Sequence, residues 1–357
     1  MNQTIEQLQQ ELYATLKKAE KNRKIIAISR AFCYGGALVY FLGLIAMQVF
    51  TYSGHSSLFT NDYTLNPNPT FLEQNKILIV IVPLFVLIII GSFGLSFFYQ
   101  KYTTAEQTSI RRIIKAMFPD AKCNLLPFDL PMSIASKSNF FGGLDDENAS
   151  GFSFGSITFE NNNRKMIFRD IVINKIQGKN WLERSPLGAF FIIAKILYKG
   201  LFAKRVENIA SNFRGMFSDA QLEKKINGSV VVLPDHLESR LDYLAKNIQA
   251  LKNVNGNKLV TLEDVEFERY FAVYASDEIT ARYVLTPAMM LRMTELKRKY
   301  NRDIMLSFNS DRFYFAVAMP EGFLTLGNAS LTSGEALNDL YDNITTAREI
   351  LNDLKLK

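Results

Sequence analysis

Asp277 and Arg282 stand close together in FERYFAVYASDEITARYVLTP, residues Phe267–Pro287, with Glu268, Arg269 and Glu278 beside them. A carboxylate next to a guanidinium could serve as a general acid or base beside an anion holder. The same residues also fit the end of a strand. Ser276-Asp277 favours a turn. Glu278 and Arg282 are four apart, so on a helical turn they would pair. Arg282 could also cap carbonyls or hold Asp277 in a bidentate pair. The structural reading is the simpler one. An enzyme of unfamiliar design using Asp277 and Arg282 is the alternative.

The remaining chemistry-bearing residues are sparse. There are two histidines, His55 and His236. His236 sits in LPDHLES beside Asp235, but one histidine without a cysteine partner is weak for zinc, and chain neighbours do not face one another. Cys123 has only Lys122 as an obvious activator, and a thiol without a positioned base is inert. The chain carries no Gly-x-x-x-x-Gly-Lys-Ser/Thr phosphate loop and no Gly-x-Gly-x-x-Gly after a strand. The sequence therefore points to no catalytic, cofactor or metal site. The net charge of +6 comes without a dense Arg/Lys stripe interleaved with aromatics, which argues against nucleic acid as a partner.

What must position these residues starts with two uncharged blocks, Ala31–Phe50 and Ile77–Tyr99. As helices they reach about 30 and 34 Å, the thickness of a bilayer's hydrocarbon core. They read as a transmembrane hairpin over residues 31–99 with a connecting loop at 51–75. Lys17, Lys18, Lys21, Arg23, Lys24 and Arg30 precede the first block, and Lys101, Arg111, Arg112 and Lys115 follow the second. The loop has no Lys or Arg. The positive-inside rule then puts both termini in the cytoplasm and the loop outside. Residues 1–30 form a cytoplasmic amphipathic helix, with Ile5, Leu8, Leu12, Leu16 and Ala19 on one face. Residues 100–357 form a cytoplasmic domain. Ala31/Gly35 and Ser92/Ser96 are small-residue pairs that could bring helices together.

A third apolar stretch, SPLGAFFIIAKILYKGLFAKR, is ambiguous. A third span would place Lys195 near the bilayer centre, at a cost of about 2.5–3.5 kcal/mol. A core helix is one reading. The other is a helix in the membrane interface, using Phe190, Phe191, Lys195, Leu197, Lys199, Lys204 and Arg205 against lipid.

The rest is patterned as α+β with a largely antiparallel sheet and flanking helices. FSFGSITF and MIFRDIVI alternate around an Asn-rich turn, predicting a hairpin. Further strands are expected at 208–217, 229–233, 259–262 and 267–275, and a pair at IMLSF and FYFAVAM. Thr286-Pro287 predicts a helix start. Thr332-x-x-Glu335 predicts a capping box before the last helix.

EFERYFAVYASDEITARYVLTPAMMLRM resembles the signature of a bacterial family known as domain of unknown function 3137. The likeness is carried by Glu266, Phe267, Glu268, Phe271, Val273, Tyr274, Asp277, Ala281, Arg282, Tyr283, Leu285, Thr286 and Pro287. NFRGMF followed by KKINGSVVVLP adds to it. It runs over most of the chain from about Ala31 to Met319. It implies a bacterial inner-membrane protein and kinship of fold, and it brings no activity. A LemA-type membrane protein is the partner it suggests, beside the bilayer or a second copy of the chain. A non-enzymatic membrane-anchored binding or scaffold module fits best. An oligomeric channel or transporter component has little support, because the spans carry no intramembrane charge.

Overall fold

A computed structural model describes residues 4–52, 76–141, 149–161, 164–175, 188–202, 213–222, 225–235 and 257–353. His55, His236, Lys204, Arg205 and nearly all of the expected 51–75 loop lie outside the described residues, as do the side chains of Phe190 and Phe191. The chain forms two compact units. One comprises Tyr13–Glu106 and Gly178–Ala210; the other comprises Met1–Leu12, Gln107–Gln177 and Ser211–Lys357. Of Gly178–Ala210, the described residues 188–202 group with the apolar helices.

The helical unit takes in α1 (Ile5–Arg30) from Tyr13 onward, and α1 continues through a π-helical turn at Ala31–Gly35 into α2 (Gly36–Tyr52). Its partner is α3 (Lys76–Met117), which belongs to this unit as far as Glu106 and has Pro83 inside it. Among the described residues, two helices are thus long and apolar enough to cross a membrane. Small residues let them meet. A Cβ at Gly91 would fall 2.6 Å from the Cys33 amide nitrogen and 2.9 Å from the Ser29 carbonyl oxygen. One at Gly94 would fall 2.7 Å from Ser29 Oγ. Only glycine allows such an approach. The contact thus uses Ser29 and Cys33 against Gly91 and Gly94, where the sequence suggests Ala31/Gly35 and Ser92/Ser96. Ser92 does contribute, with its Oγ 3.1 Å from Cys33 Sγ, and it also donates to the Ile88 carbonyl. The apolar face of α1 is covered by the chain itself: Leu8, Leu12, Leu16 and Ala19 are buried.

The other unit is a single ten-stranded sheet, antiparallel at every pairing among the described residues. Its strands are β1 (Lys122–Asn124), β2 (Phe128–Leu130), β3 (Ala149–Asn161), β4 (Arg164–Lys175), β5 (Phe213–Gln221), β6 (Ser229–Pro234), β7 (Lys258–Val260), β8 (Phe271–Ala275), β9 (Ile304–Asn309) and β10 (Arg312–Ala318). The order is β1-β3-β4-β5-β10-β9-β6-β8-β7, with β2 also on β3. The β9–β10 hairpin turns on Ser310-Asp311, and Ser310 takes the positive φ such a short loop needs. One face of the sheet holds Phe213, Phe217, Tyr274, Met305 and Tyr314 under Phe140 and Phe141. The other holds Phe168, Met216, Phe315 and Val317, also buried. Covering both faces explains why β6 and β10 read as continuous apolar runs, Val230–Leu233 and Phe313–Ala318: alternation needs one wet face.

Short helix α4 (Met132–Lys137) lies on the Phe140/Phe141 side. Helix α5 (Gly188–Phe202) belongs to the helical unit. Then come α6 (Val265–Glu268), α7 (Glu278–Val284), α8 (Pro287–Tyr300) and α9 (Glu335–Asp353). Two local expectations need correction. The strand expected from Phe267 begins only at Phe271, because Asp264 accepts hydrogen bonds from the Glu266 and Phe267 amides and starts α6. The capping box at Thr332 does not form. Gly334, at φ 85°, precedes α9 and its carbonyl receives the Leu337 and Asn338 amides, while Thr332 bonds to Ser330.

Candidate functional site

Asp277 follows β8 and caps α7. Its Oδ1 accepts the Thr280 amide at 2.8 Å, and its Oδ2 accepts the Thr280 hydroxyl at 2.7 Å and the Ser276 hydroxyl at 3.3 Å. These donors, the Thr280 amide foremost, hold the carboxyl below the usual range. A general acid needs the opposite shift. Arg282 lies one turn on. It donates to Glu278 at 2.8 and 3.1 Å and to Glu263 at 3.0 Å, and the Glu278 bond raises its pKa. The two residues are therefore not joined to each other. Each is engaged in a local contact at the surface, with 43% of the Arg282 side chain exposed.

Cys123 lies on β1. Burial pushes its thiol up to about 11, against a smaller opposing pull from Arg111, so it carries almost no thiolate near neutrality. A small cavity beside α8, α9 and β10 is lined by Leu296, Tyr300, Phe315 and Met319, and it includes none of the residues the sequence singles out.

Helix α5 presents Lys195 and Lys199, four apart and both exposed, with Leu197 half-buried. Its C-terminal turn sits on the start of the first apolar block. A Cβ at Gly200 would meet the Tyr34 ring at 2.4 Å, and Leu201 Cδ1 lies 3.7 Å from where a Cβ at Gly35 would be. Contact with the hairpin involves the Ala31–Gly35 turn and the adjoining α2.

Sequence reasoning missed the most deeply buried charges. Arg214 on β5 donates from Nη2 to Asp170 Oδ2 on β4 at 2.9 Å, with side-chain exposures of 3% and 0%. The guanidinium lies 4.2 Å from the Phe154 ring centroid. Asp170 Oδ2 also accepts the Leu324 amide at 3.2 Å. Gly322, at φ 95°, approaches the guanidinium so closely that a Cβ there would meet Nη2 at 2.5 Å. A signal was present: an Asp inside MIFRDIVI and an Arg inside NFRGMF interrupt strand patterns. Gly215 beside Arg214 has its own reason, since a Cβ there would fall 2.1 Å from the Val317 carbonyl oxygen.

Residues 211–356 match the family model described as "Protein of unknown function (DUF3137)". This region is similar to that family. No curated protein and no solved structure matches the chain. The DUF3137 region runs from β5 to the end of α9, and the two long apolar helices lie outside the matched residues. Its phrase EFERYFAVYASDEITARYVLTP now has a physical reading. Phe267 is buried and its ring lies 5.0 Å from that of Phe271. Val273 and Tyr274 are buried on β8, and Ala281 is the buried residue of α7. Thr286 accepts the Met289 amide at 3.3 Å and Pro287 opens α8. Glu266 pairs with Arg298 of α8. In the DUF3137 region this phrase encodes a strand and two capped helices.

Proposed function

We propose that the protein is a membrane-anchored, non-enzymatic binding or scaffold module. In this reading α2 and the apolar half of α3 cross a bacterial inner membrane. Both termini and the DUF3137 region face the cytoplasm, and the 51–75 loop faces out. One observation carries it. The hairpin turns small residues inward and large apolar ones outward: Val39 is 61%, Ile90 59% and Phe93 73% exposed. Water would penalise such a band at about 25 cal/mol per Å², whereas lipid does not. The basic flanks supply the orientation. The binding role is supported by how the candidate chemistry is used, since Asp277 caps a helix and Arg282 stays in exposed ion pairs. A LemA-type membrane protein or a second copy of the chain is the partner this reading favours.

The test is membrane fractionation with an alkaline carbonate wash, followed by labelling of single cysteines introduced as Asn61→Cys and Lys357→Cys in a Cys33→Ser/Cys123→Ser background. The expected result is retention in the pellet, with an impermeant maleimide reaching position 61 and not 357 in intact spheroplasts. Release into the supernatant would remove the anchor, and labelling at 357 alone would invert the topology.

A further inference from the structure

We infer that α5 is a third membrane-embedded element, lying in the interface beside the hairpin and engaging anionic lipid headgroups through Lys195 and Lys199. The inference rests on the hairpin reading above. It starts from where α5 is attached. Gly200 lies flat against Tyr34, the fourth residue of the first apolar block and four residues beyond Arg30. That is the basic-flanked end of the span, where hydrocarbon gives way to headgroups.

Length and charge then decide among the ways a helix can sit there. Over its described 15 residues α5 extends about 22 Å, short of a ~30 Å hydrocarbon core. Two lysines within it oppose a transmembrane placement. A core helix of a water-soluble unit would bury its large side chains. Instead Ile196 is 50%, Tyr198 59% and Phe202 65% exposed. At 100° per residue, Tyr198 and Phe202 share one side, their rings 4.7 Å apart, and Lys195 and Lys199 occupy the adjoining sector. Gly200 and Leu201 face the hairpin. An aromatic pair beside a lysine pair is the chemistry of the interface: rings at the level of the glycerol backbone, ammonium groups among phosphates. Helix α5 rests on the hairpin, and both leave large apolar side chains exposed, so a single bilayer would cover both. The occupant of this face is therefore anionic phospholipid.

The test uses full-length protein reconstituted in phosphatidylcholine vesicles with and without phosphatidylglycerol, carrying shallow- or deep-labelled nitroxide lipids. Trp181→Phe removes the sole native tryptophan. Tyr198→Trp then reports on α5, Phe202→Trp repeats the measurement at a second position, and Phe93→Trp reports on the hairpin. The expected result is quenching of both α5 indoles, at positions 198 and 202, by the shallow label, stronger with phosphatidylglycerol. Lys195→Glu/Lys199→Glu should abolish that preference. If the hairpin indole at position 93 is quenched and neither reporter on α5 is, the face is covered by water or protein and the inference fails while the hairpin stands. If the hairpin indole is not quenched either, the hairpin reading itself is wrong. Quenching on α5 that ignores both phosphatidylglycerol and the charge reversal would overturn the headgroup assignment.

Discussion

Phe93 and Phe217 show how differently the two units use one side chain. Phe217 is fully buried in the sheet, packed near Phe141 and Tyr314. Phe93 stands 73% exposed on α3, stacked along the helix on Phe97. The residues at the helical contact are instead Gly91, Gly94, Ser29 and Cys33. Water drives apolar groups inward in the sheet unit. Between two helices that face lipid, as proposed for this pair, that drive would be absent, and close backbone approach would replace it. The charges differ in the same way. The sheet unit hides an ion pair among strands, whereas the hairpin confines its charges to the ends.

The hidden pair gives the largest expected effect. Asp170→Ala leaves the Arg214 guanidinium buried without its carboxylate, which costs about 3–5 kcal/mol. That is a large part of a domain's ~5–15 kcal/mol. Thermal unfolding of the detergent-solubilised protein, followed by near-ultraviolet circular dichroism, should show it as an early loss of tertiary signal while hairpin helicity persists. Asp170→Leu/Arg214→Met should recover most of the loss, because an apolar pair of similar volume leaves no charge to satisfy. An unchanged melting curve for Asp170→Ala would mean that the buried pair does not constrain the sheet.

A middle-sized effect is expected in the other unit. Gly91→Val puts atoms where the Cys33 amide and Ser29 carbonyl now lie, an overpacking worth about 1–3 kcal/mol. Ser92→Cys supplies the readout, since Ser92 Oγ lies 3.1 Å from Cys33 Sγ. Mild oxidation should join Cys33 to the thiol introduced at position 92, and Gly91→Val should slow that reaction without moving the sheet's melting transition. Unchanged crosslinking would place the close approach elsewhere along the helices.

How far the sequence reaches follows the same division. Local devices were legible. Thr286-Pro287 opens α8, Asn309-Ser310-Asp311 turns a hairpin, and the uncharged blocks are helices. Non-local ones were not. Nothing in MIFRDIVI says that β5 will lie beside β4, so Asp170 gave no hint of Arg214. Nothing in the apolar period of 188–202 says which face meets Tyr34. A cap was also overlooked. Asp264 starts a short helix inside what reads as a strand, because alternation around Phe267 and Phe271 fits either structure over so few residues.

The smallest effect is expected where the sequence first suggested chemistry. Arg282 and its partners are open to water, with Glu278 63% and Glu263 88% exposed, so screening leaves little net stabilisation. Arg282→Ala should leave the melting temperature unchanged within error. Asp277 should show itself only through pH. Its folded pKa lies below the unfolded value of about 3.9. Its contribution is therefore complete above that value and is lost as pH falls through the folded pKa. Asp277→Asn keeps an acceptor for the Thr280 amide but cannot titrate. The wild type should thus be the more acid-sensitive of the two below about pH 4, and both should be equally able to support cellular function at neutral pH. Loss of that function in Asp277→Asn or Arg282→Ala, at an unchanged melting temperature, would return this pair to chemistry. It would also break the contrast between a sheet unit whose surface charges are structural and a helical unit proposed to face lipid.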